Sequence, residues 1–466
     1  MPVRLPVTAL PGVPDVAPPR RAIAAVPEWA AAQGRVQRNV ILMISDGCGF
    51  NHVLAADYYQ HGAPDSQVYE QGFVSLAMST YADGGSYSPE AIWGSFEECK
   101  AGATDSAAAA TAMATGSKTY KGAIGLDRNK VRLVTAVEAA EAAGRATGVV
   151  TSVQLSHATP AGFVAHNENR NNYAEIAREM FLWSGLDVIM GGGNPWFDDD
   201  GRLAPIDWGA EDLRQTFEEQ YEKVAGLETW IALTTGQAGN DADGDGIEDA
   251  WTLIQSREEF RSLAHGVMLP KRVAGVFRSV STTQQKRTGV DEDEQDDYPY
   301  QTLPTSDVPT LAEMTLGALN VLGTDPDGFF LMVEGGAIDW ASHANQLGRM
   351  IEEQVEFNQA VETAVQWIEM NGGWTRNLLI ITADHECGYL TGPKSDPEQA
   401  PVVNNGRGRL PGAEWHHDGH TNQLVPFYAR GAGSDLLRQR AVNHDPRRGP
   451  YLDNTDLGQV LLALLK

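Results

Sequence analysis

The sequence predicts an α/β protein, with a mostly parallel central sheet, helices on both faces and irregular insertions. Three observations carry that prediction. Continuous apolar runs of strand length recur along the chain, helix-length segments separate them, and several runs end in turns rich in Gly, Asp or His. Residues 1–38 read as an extended arm. Residues 39–466 read as one domain carrying the chemistry, with insertions at about 195–310 and 391–419.

The first strand is Asn39-Val40-Ile41-Leu42-Met43-Ile44-Ser45, apolar throughout and therefore buried on both faces. It ends in the tight turn Asp46-Gly47-Cys48-Gly49, followed by a helix at 51–61. A second helix opens at Ser106, where Asp105-Ser106 precedes an Ala-rich run ending near Gly116. Ala has the highest helix propensity, and Asp and Ser belong at helix starts. After a loop containing Gly122 and Gly125 come a helix at 133–144 and a strand over 147–152. A helix at 173–183 and a strand over 187–190 follow. Residues 195–310 break the rhythm; they are acidic, with one clear strand at Val273 to Val276 and a polar loop over 287–300. The alternation resumes with a helix at 309–322, a strand over 329–333 and a long helix at about 346–370. Strands over 378–382 and 425–429 and a helix near 455–465 complete the chain.

Composition narrows the function. The 466 residues carry a formal charge of −27, which disfavours nucleic acid and anionic membrane as partners. There is no run of 18 apolar residues, so no membrane span is expected. The first 35 residues lack a clean apolar stretch ending in a cleavage site, and Pro11, Pro14, Pro18 and Pro19 would break one. Cys48, Cys99 and Cys387 form neither a disulfide framework nor a CxxC metal site. They read as small buried hydrophobes, with one bridge open to them in an oxidising compartment.

The chemistry gathers at helix starts and strand ends. Ser106 falls in the first turn of its helix, where free N–H groups and the helix dipole favour a phosphate and a serine alkoxide. Alone, Asp105-Ser106 reads more readily as a plain N-cap; Asp, His and Glu residues placed elsewhere overturn that. Asp46 follows the first strand. Glu334 and the pair Asp339 and His343, spaced i, i+4, follow the 329–333 strand. Asp384-His385 follows the 378–382 strand, and His416-His417-Asp418-Gly419-His420 adds further candidates. Carboxylates and imidazoles after successive strands converge on one sheet edge. Mixed His and Asp donors suit zinc, and oxygen-only donors suit magnesium. His52, His61 and His265 read as surface or core histidines.

These motifs resemble the alkaline phosphatase family. The matching stretches are Asp46-Gly47, Thr104-Asp105-Ser106-Ala107-Ala108, Gly116-Ser117-Lys118-Thr119-Tyr120, His157-Ala158-Thr159-Pro160-Ala161, Val333-Glu334-Gly335-Gly336, Thr382-Ala383-Asp384-His385-Glu386 and Gly419-His420-Thr421. The resemblance covers roughly 39–466 and implies an α/β fold with two Zn2+ and one Mg2+. It implies that Asp339, His343 and His420 hold the first zinc, and that Asp46, Asp384 and His385 hold the second. Asp46, Thr159 and Glu334 would hold magnesium. Ser106 would be the nucleophile that forms a phosphoserine intermediate, and Arg170 would bind the phosphate of small phosphomonoester substrates. The resemblance also implies a periplasmic or secreted protein, in a family whose members are often homodimers and sometimes monomers.

The chain departs from the family's best-known bacterial form at two places beside the metals. It has His157 where that form has Asp, and Trp340 where that form has Lys; other members carry His and Trp there. A histidine at 157 lets zinc compete for the third site. Separately, Asp241-Ala242-Asp243-Gly244-Asp245-Gly246-Ile247-Glu248-Asp249 matches the first half of an EF-hand-like loop, with Thr252 in place of the closing Glu. We read it as a shorter structural calcium (Ca2+) loop using Asp241, Asp243, Asp245, Ile247 and Asp249, against the alternative of a solvated acidic loop. A phosphodiesterase or sulfatase is the nearest competing enzyme, and a calcium-dependent adhesion protein the nearest non-enzyme. Ser106 lacks the Cys/Ser-x-Pro-x-Arg setting of sulfatases, and a scaffold has no use for a complete metal-ligand set.

Overall fold

Strand β1 (Asn39–Ser45) lies in the middle of a sheet that has eleven strands among the described residues, as its unbroken apolar sequence requires. The computed structural model describes residues 39–204, 212–289, 298–395 and 398–466. The expected arm over 1–38 and part of the polar loop over 287–300 lie outside the described residues. The other strands are β2 (Val74–Ser79), β3 (Ala146–Gln154), β4 (Val188–Gly192), β5 (Thr252–Ile254), β6 (Val273–Val276), β7 (Phe329–Gly335), β8 (Asn377–Thr382), β9 (Val425–Gly431), β10 (Asn443–Asp445) and β11 (Gly449–Asp453). Their order across the sheet is β10-β11-β2-β9-β8-β1-β7-β3-β4-β6-β5.

The core from β8 to β5 is parallel throughout. β9 runs against both β8 and β2. The mostly parallel sheet expected from the sequence is therefore present, with mixed pairing confined to one side. Four of its strands, β5 among them, are marked by no apolar run in the sequence. β2 is short and half-buried at its start, and β10 and β11 form a small hairpin at the sheet edge. Strands of this kind lack the long apolar run that marks a central one.

The helices that position the site are α1 (Phe50–Gln60), α2 (Ser106–Thr115), α3 (Ala136–Ala142), α4 (Ala158–Val164), α5 (Tyr173–Leu182), α6 (Leu311–Leu322), α7 (Ala337–His343), α8 (Leu347–Met370) and α9 (Asn454–Leu465). The insertion is more ordered than its sequence suggested. It contributes helices Leu213–Tyr221, Leu227–Thr234 and Arg257–Ala264, and β5 extends the sheet beside β6. Among the described residues, no helix is long and apolar enough to cross a membrane. All three cysteines are free and buried, so none forms the bridge left open by the sequence.

α2 is buried along its whole length, and its neighbours approach closely because they present glycine. A Cβ at Gly458 of α9 would sit 2.3 Å from the Gly116 nitrogen and 2.5 Å from the Ala112 oxygen at the end of α2. Both obstacles are backbone and cannot rotate away. Gly458→Ala is therefore expected to cost about 1–3 kcal/mol. The check is a lower urea midpoint at unchanged slope; an unchanged midpoint would show that α9 shifts without cost.

Candidate metal and nucleophile centre

Asp105 caps α2 from extended backbone, its Oδ1 accepting from the Ala108 nitrogen at 3.1 Å. The cap starts the helix at Ser106, which is buried at the positive end of the helix dipole. Its Oγ lies 3.2 Å from His385 Nε2.

The four neighbouring strands β8, β1, β7 and β3 deliver the other groups. Asp384 and His385 follow β8, and Asp46 follows β1. Glu334 is the second-last residue of β7, before Asp339 and His343 on α7, and His157 and Thr159 follow β3. Residues separated by hundreds of positions meet because these strands are adjacent and parallel. Three donor groups result: Asp339, His343, Cys387 and His420; Asp46, Asp384 and His385; and Asp46, His157 and Glu334. Asp46 belongs to two of them.

Hydrogen bonds outside the first group aim its imidazoles inward. His343 Nδ1 lies 2.6 Å from the Asp418 carbonyl, and His420 Nδ1 lies 2.9 Å from the Thr104 carbonyl. A carbonyl only accepts, so each Nδ1 carries a proton, and Nε2 is the atom left to face a cation. Those two Nε2 atoms face one another at 3.0 Å. Asp339 adds Oδ2 at 3.5 Å from His343 and Oδ1 at 3.4 Å from His420. In the second group, His385 Nε2 is 3.1 Å from Asp384 Oδ2 and 3.5 Å from Asp46 Oδ1. Asp384 is held from behind, its Oδ1 accepting from the backbone nitrogens of Gly47 and His385.

Electrostatics make the arrangement costly without cations. Burial, with Asp384, Asp339 and Glu334 close by, pushes the Asp46 carboxyl well above its ordinary range. Burial likewise raises Glu334 to about 7. Burial opposes ionisation of Asp339 too, but His420, His343 and His385 hold it far below the carboxylate range. His420 is in turn raised to about 9 by Asp339 despite its own burial. Neither oxygen of Asp46 has a hydrogen-bond partner, nor have Glu334 Oε1, Asp339 Oδ1 and Thr159 Oγ1, although all are buried. Buried acceptors left unpaired are expensive, and divalent cations would satisfy them. Nitrogen with carboxylate in the first two groups fits zinc. The third joins carboxylate and hydroxyl oxygen to one imidazole, His157.

Arg170 reaches this edge from the segment before α5. Its Nη1 donates to Asp105 Oδ2 at 3.1 Å, and its Nη2 lies 3.3 Å from His157 Nε2. Burial and Arg170 together lower His157 to about 3 and keep it neutral. The His157 ring stands edge-on to Trp340, with centroids 5.6 Å apart.

Some members of the site carried no signal in the sequence. Cys387 pairs with His420 across the short ribbon of Glu386–Cys387 and His420–Thr421, which puts its thiol in the first group. Thr151, within β3, donates to Glu334 Oε2. Glu386, by contrast, continues the Asp384-His385 motif; it accepts from Thr421 Oγ1 and from the Leu390 nitrogen. His52 is buried and His265 exposed, and neither belongs to a donor group.

The acidic loop is a separate feature. Asp241, Asp243 and Asp249 converge, whereas Asp245 turns Oδ1 to the Ile247 nitrogen at 2.8 Å and stands outside that trio. Lys271 Nζ occupies the same spot, 2.8 Å from Asp243 and 2.6 Å from Asp249.

A serine at a helix start, ringed by groups able to hold cations at the carboxyl edge of a parallel sheet, defines an α/β protein of the metal-binding hydrolase class. Comparison with known proteins makes the assignment specific. The family model described as alkaline phosphatase matches residues 37–411. Alkaline phosphatase 3 of Bacillus subtilis is 30% identical over 359 residues, covering 75% of this chain and 61% of the relative. Alkaline phosphatase of Escherichia coli K12 is 31% identical over 373 residues, covering 75% of this chain and 70% of the relative. Among solved structures, the cold-active alkaline phosphatase of a psychrophile, Shewanella sp., superposes with a TM-score of 0.61 at 26% identity, covering 92% of this chain and 100% of that one. The enzyme of the Antarctic bacterium TAB5 gives the same TM-score of 0.61 at 24% identity, covering 93% and 99%. The chain belongs to the alkaline phosphatase family. It spans about three fifths of the length of the Bacillus relatives it matches.

Proposed function

We propose that this protein is an alkaline phosphatase that hydrolyses small phosphate monoesters through a phosphoserine at Ser106. The observation carrying the proposal is the placement of Ser106 Oγ at the start of α2, 3.2 Å from His385 and one residue from the Asp105 that binds Arg170. In this reading Asp339, His343 and His420 hold one zinc, and Asp46, Asp384 and His385 hold the other. Asp46, Thr159 and Glu334 hold magnesium, with His157 beside them as a nitrogen donor through which zinc can compete. Bound there, the cations supply Lewis acidity, lower the pKa of an attached hydroxyl or water to about 7, and balance charge on the transferring phosphoryl group.

The chain's own residues do the rest. Arg170 presents a planar fork of N–H donors suited to two phosphate oxygens, and Asp105 fixes the plane of that fork. Ser106 Oγ attacks phosphorus in line, and the bond from phosphorus to the ester oxygen breaks. The α2 N–H groups stabilise the negative charge gathered there. Water then cleaves the phosphoserine, releasing phosphate and restoring the hydroxyl. The same proposal includes a single catalytic domain over 39–466 and a periplasmic or secreted location.

The test compares initial rates on a chromogenic monoester and the matching diester at alkaline pH, with zinc and magnesium present. A large monoester excess that Ser106→Ala abolishes supports the reading. A diester preference would overturn the roles given to Arg170, Thr159 and Glu334.

We also propose that the 241–249 loop binds a structural calcium. Its backbone is already folded around the Asp241 carboxylate, which accepts from the nitrogens of Gly244 and Gly246. Lys271 is the competitor the cation must displace. Adding calcium to chelator-stripped protein at about 100 times Kd is expected to add about 2.7 kcal/mol of stability. An unchanged melting temperature would remove the site.

A further inference from the structure

We propose that His166 is a positioning residue: with Glu179 it clamps the segment that sets Arg170 beside Ser106. The proposal rests on the phosphate-binding role given to Arg170 above.

His166 follows α4, and its side chain is 1% exposed. Its Nδ1 lies 3.0 Å from Glu179 Oε1, and its Nε2 lies 2.8 Å from the Leu133 carbonyl. Its backbone nitrogen donates to Glu179 Oε2 at 3.0 Å. Burial disfavours a charge on Glu179, yet His166 and Arg132 hold its carboxyl below the ordinary value. Both ring nitrogens therefore face pure acceptors, a carboxylate and a carbonyl. Arg132 lies 2.9 Å from Glu179, and Glu138 lies 3.8 Å from the His166 ring. A buried carboxylate with two charge-assisted partners is a rigid joint.

The joint lies on the chain path to Arg170. Glu179 is on α5, which begins at Tyr173, three residues after Arg170. The contact between His166 and Glu179 thus closes a loop of chain that has Arg170 inside it. The opposite wall is the 122–126 turn. Gly125, at φ +60°, presses so closely that a Cβ there would sit 2.3 Å from the Ala165 oxygen and 2.8 Å from the His166 ring. Asn167 and Ile124 exchange backbone hydrogen bonds at 2.9 Å, and the Arg170 nitrogen donates to the Gly122 oxygen at 2.8 Å. The Gly122 nitrogen donates to Asp105 Oδ2, the atom that also receives Arg170 Nη1. Asp105 fixes the guanidinium from the α2 side, and the His166–Glu179 pair fixes its main chain from the α5 side. Productive geometry for a phosphate clamp tolerates only a few tenths of an ångström.

The test uses the holoenzyme with zinc and magnesium. KM, kcat and the inhibition constant for inorganic phosphate are measured for His166→Gln and Glu179→Gln, with native Arg170 and with Arg170→Ala. Glu179→Gln keeps the side chain's shape and serves if His166→Gln does not fold. With Arg170 intact, each substitution is expected to raise KM and the phosphate constant about tenfold, with kcat changed by less than about threefold. With Arg170→Ala, the same substitutions should change the phosphate constant by less than about twofold, because the group they act through is gone. Equal effects in both backgrounds, or none in either, would overturn the clamp and leave the enzyme's function standing. An unaltered phosphate constant in Arg170→Ala alone would instead overturn the role of Arg170, and the clamp with it.

Discussion

Ser106→Ala is expected to lower phosphomonoester turnover by at least about 10³-fold while leaving the fold intact. The side chain is buried, small and on a helix whose other residues are mostly Ala, so the substitution removes one oxygen and creates no strain. Asp105 still caps the helix through Ala108, and Arg170 still binds Asp105, so substrate affinity should change little. The loss belongs to kcat, because the missing atom is the one that would bond to phosphorus. Rapid-quench detection of a labelled phosphoserine in the parent and its absence in the variant provides a direct check. Residual turnover within about tenfold of the parent would mean that another group, or water, attacks phosphorus.

Removing divalent cations is expected to abolish activity and to lower the melting temperature by roughly 10 °C. Three ions bound at about 1,000 times their Kd contribute about 4 kcal/mol each, which is a shift of that size at the roughly 1 kcal/mol per degree expected for a chain this long. The structural reason is Asp46 and Glu334, buried beside Asp384 and Asp339 with oxygens that no hydrogen bond satisfies. The deficit should grow with pH. The Asp46 and Glu334 carboxyls are raised in the folded, metal-free protein. Such groups take up protons on folding, so they destabilise as pH rises above the ordinary carboxylate value of 4.5 and through about 7 for Glu334. Melting curves with and without chelator at pH 5 and pH 8 should differ more at pH 8. Equal gaps at the two pH values would show that the carboxylates are balanced by something other than cations.

Local sequence determined much of this protein, and for a simple reason. A strand buried on both faces must be apolar at every position, so β1, β7 and β8 announce themselves, as does the Ala-rich α2 behind its Asp105 cap. Ligand-type residues immediately after such strands can point only to the sheet's carboxyl edge, so Asp46, Glu334, Asp339, His343, Asp384 and His385 were legible as one site. What local pattern does not encode is which strands are neighbours. The adjacency of β8, β1, β7 and β3 is a long-range choice, and it alone puts Asp46 into two donor groups at once. The short half-buried strands β2, β5, β10 and β11 gain their stability from pairing with partners, not from their own residues, so no periodicity betrays them. The same holds for side chains whose role is a contact: Cys387 opposite His420, Thr151 on Glu334, Lys271 among the loop acids, and His166 on Glu179. Sequence records what a residue can offer chemically, whereas only tertiary packing decides which partner stands within hydrogen-bonding distance.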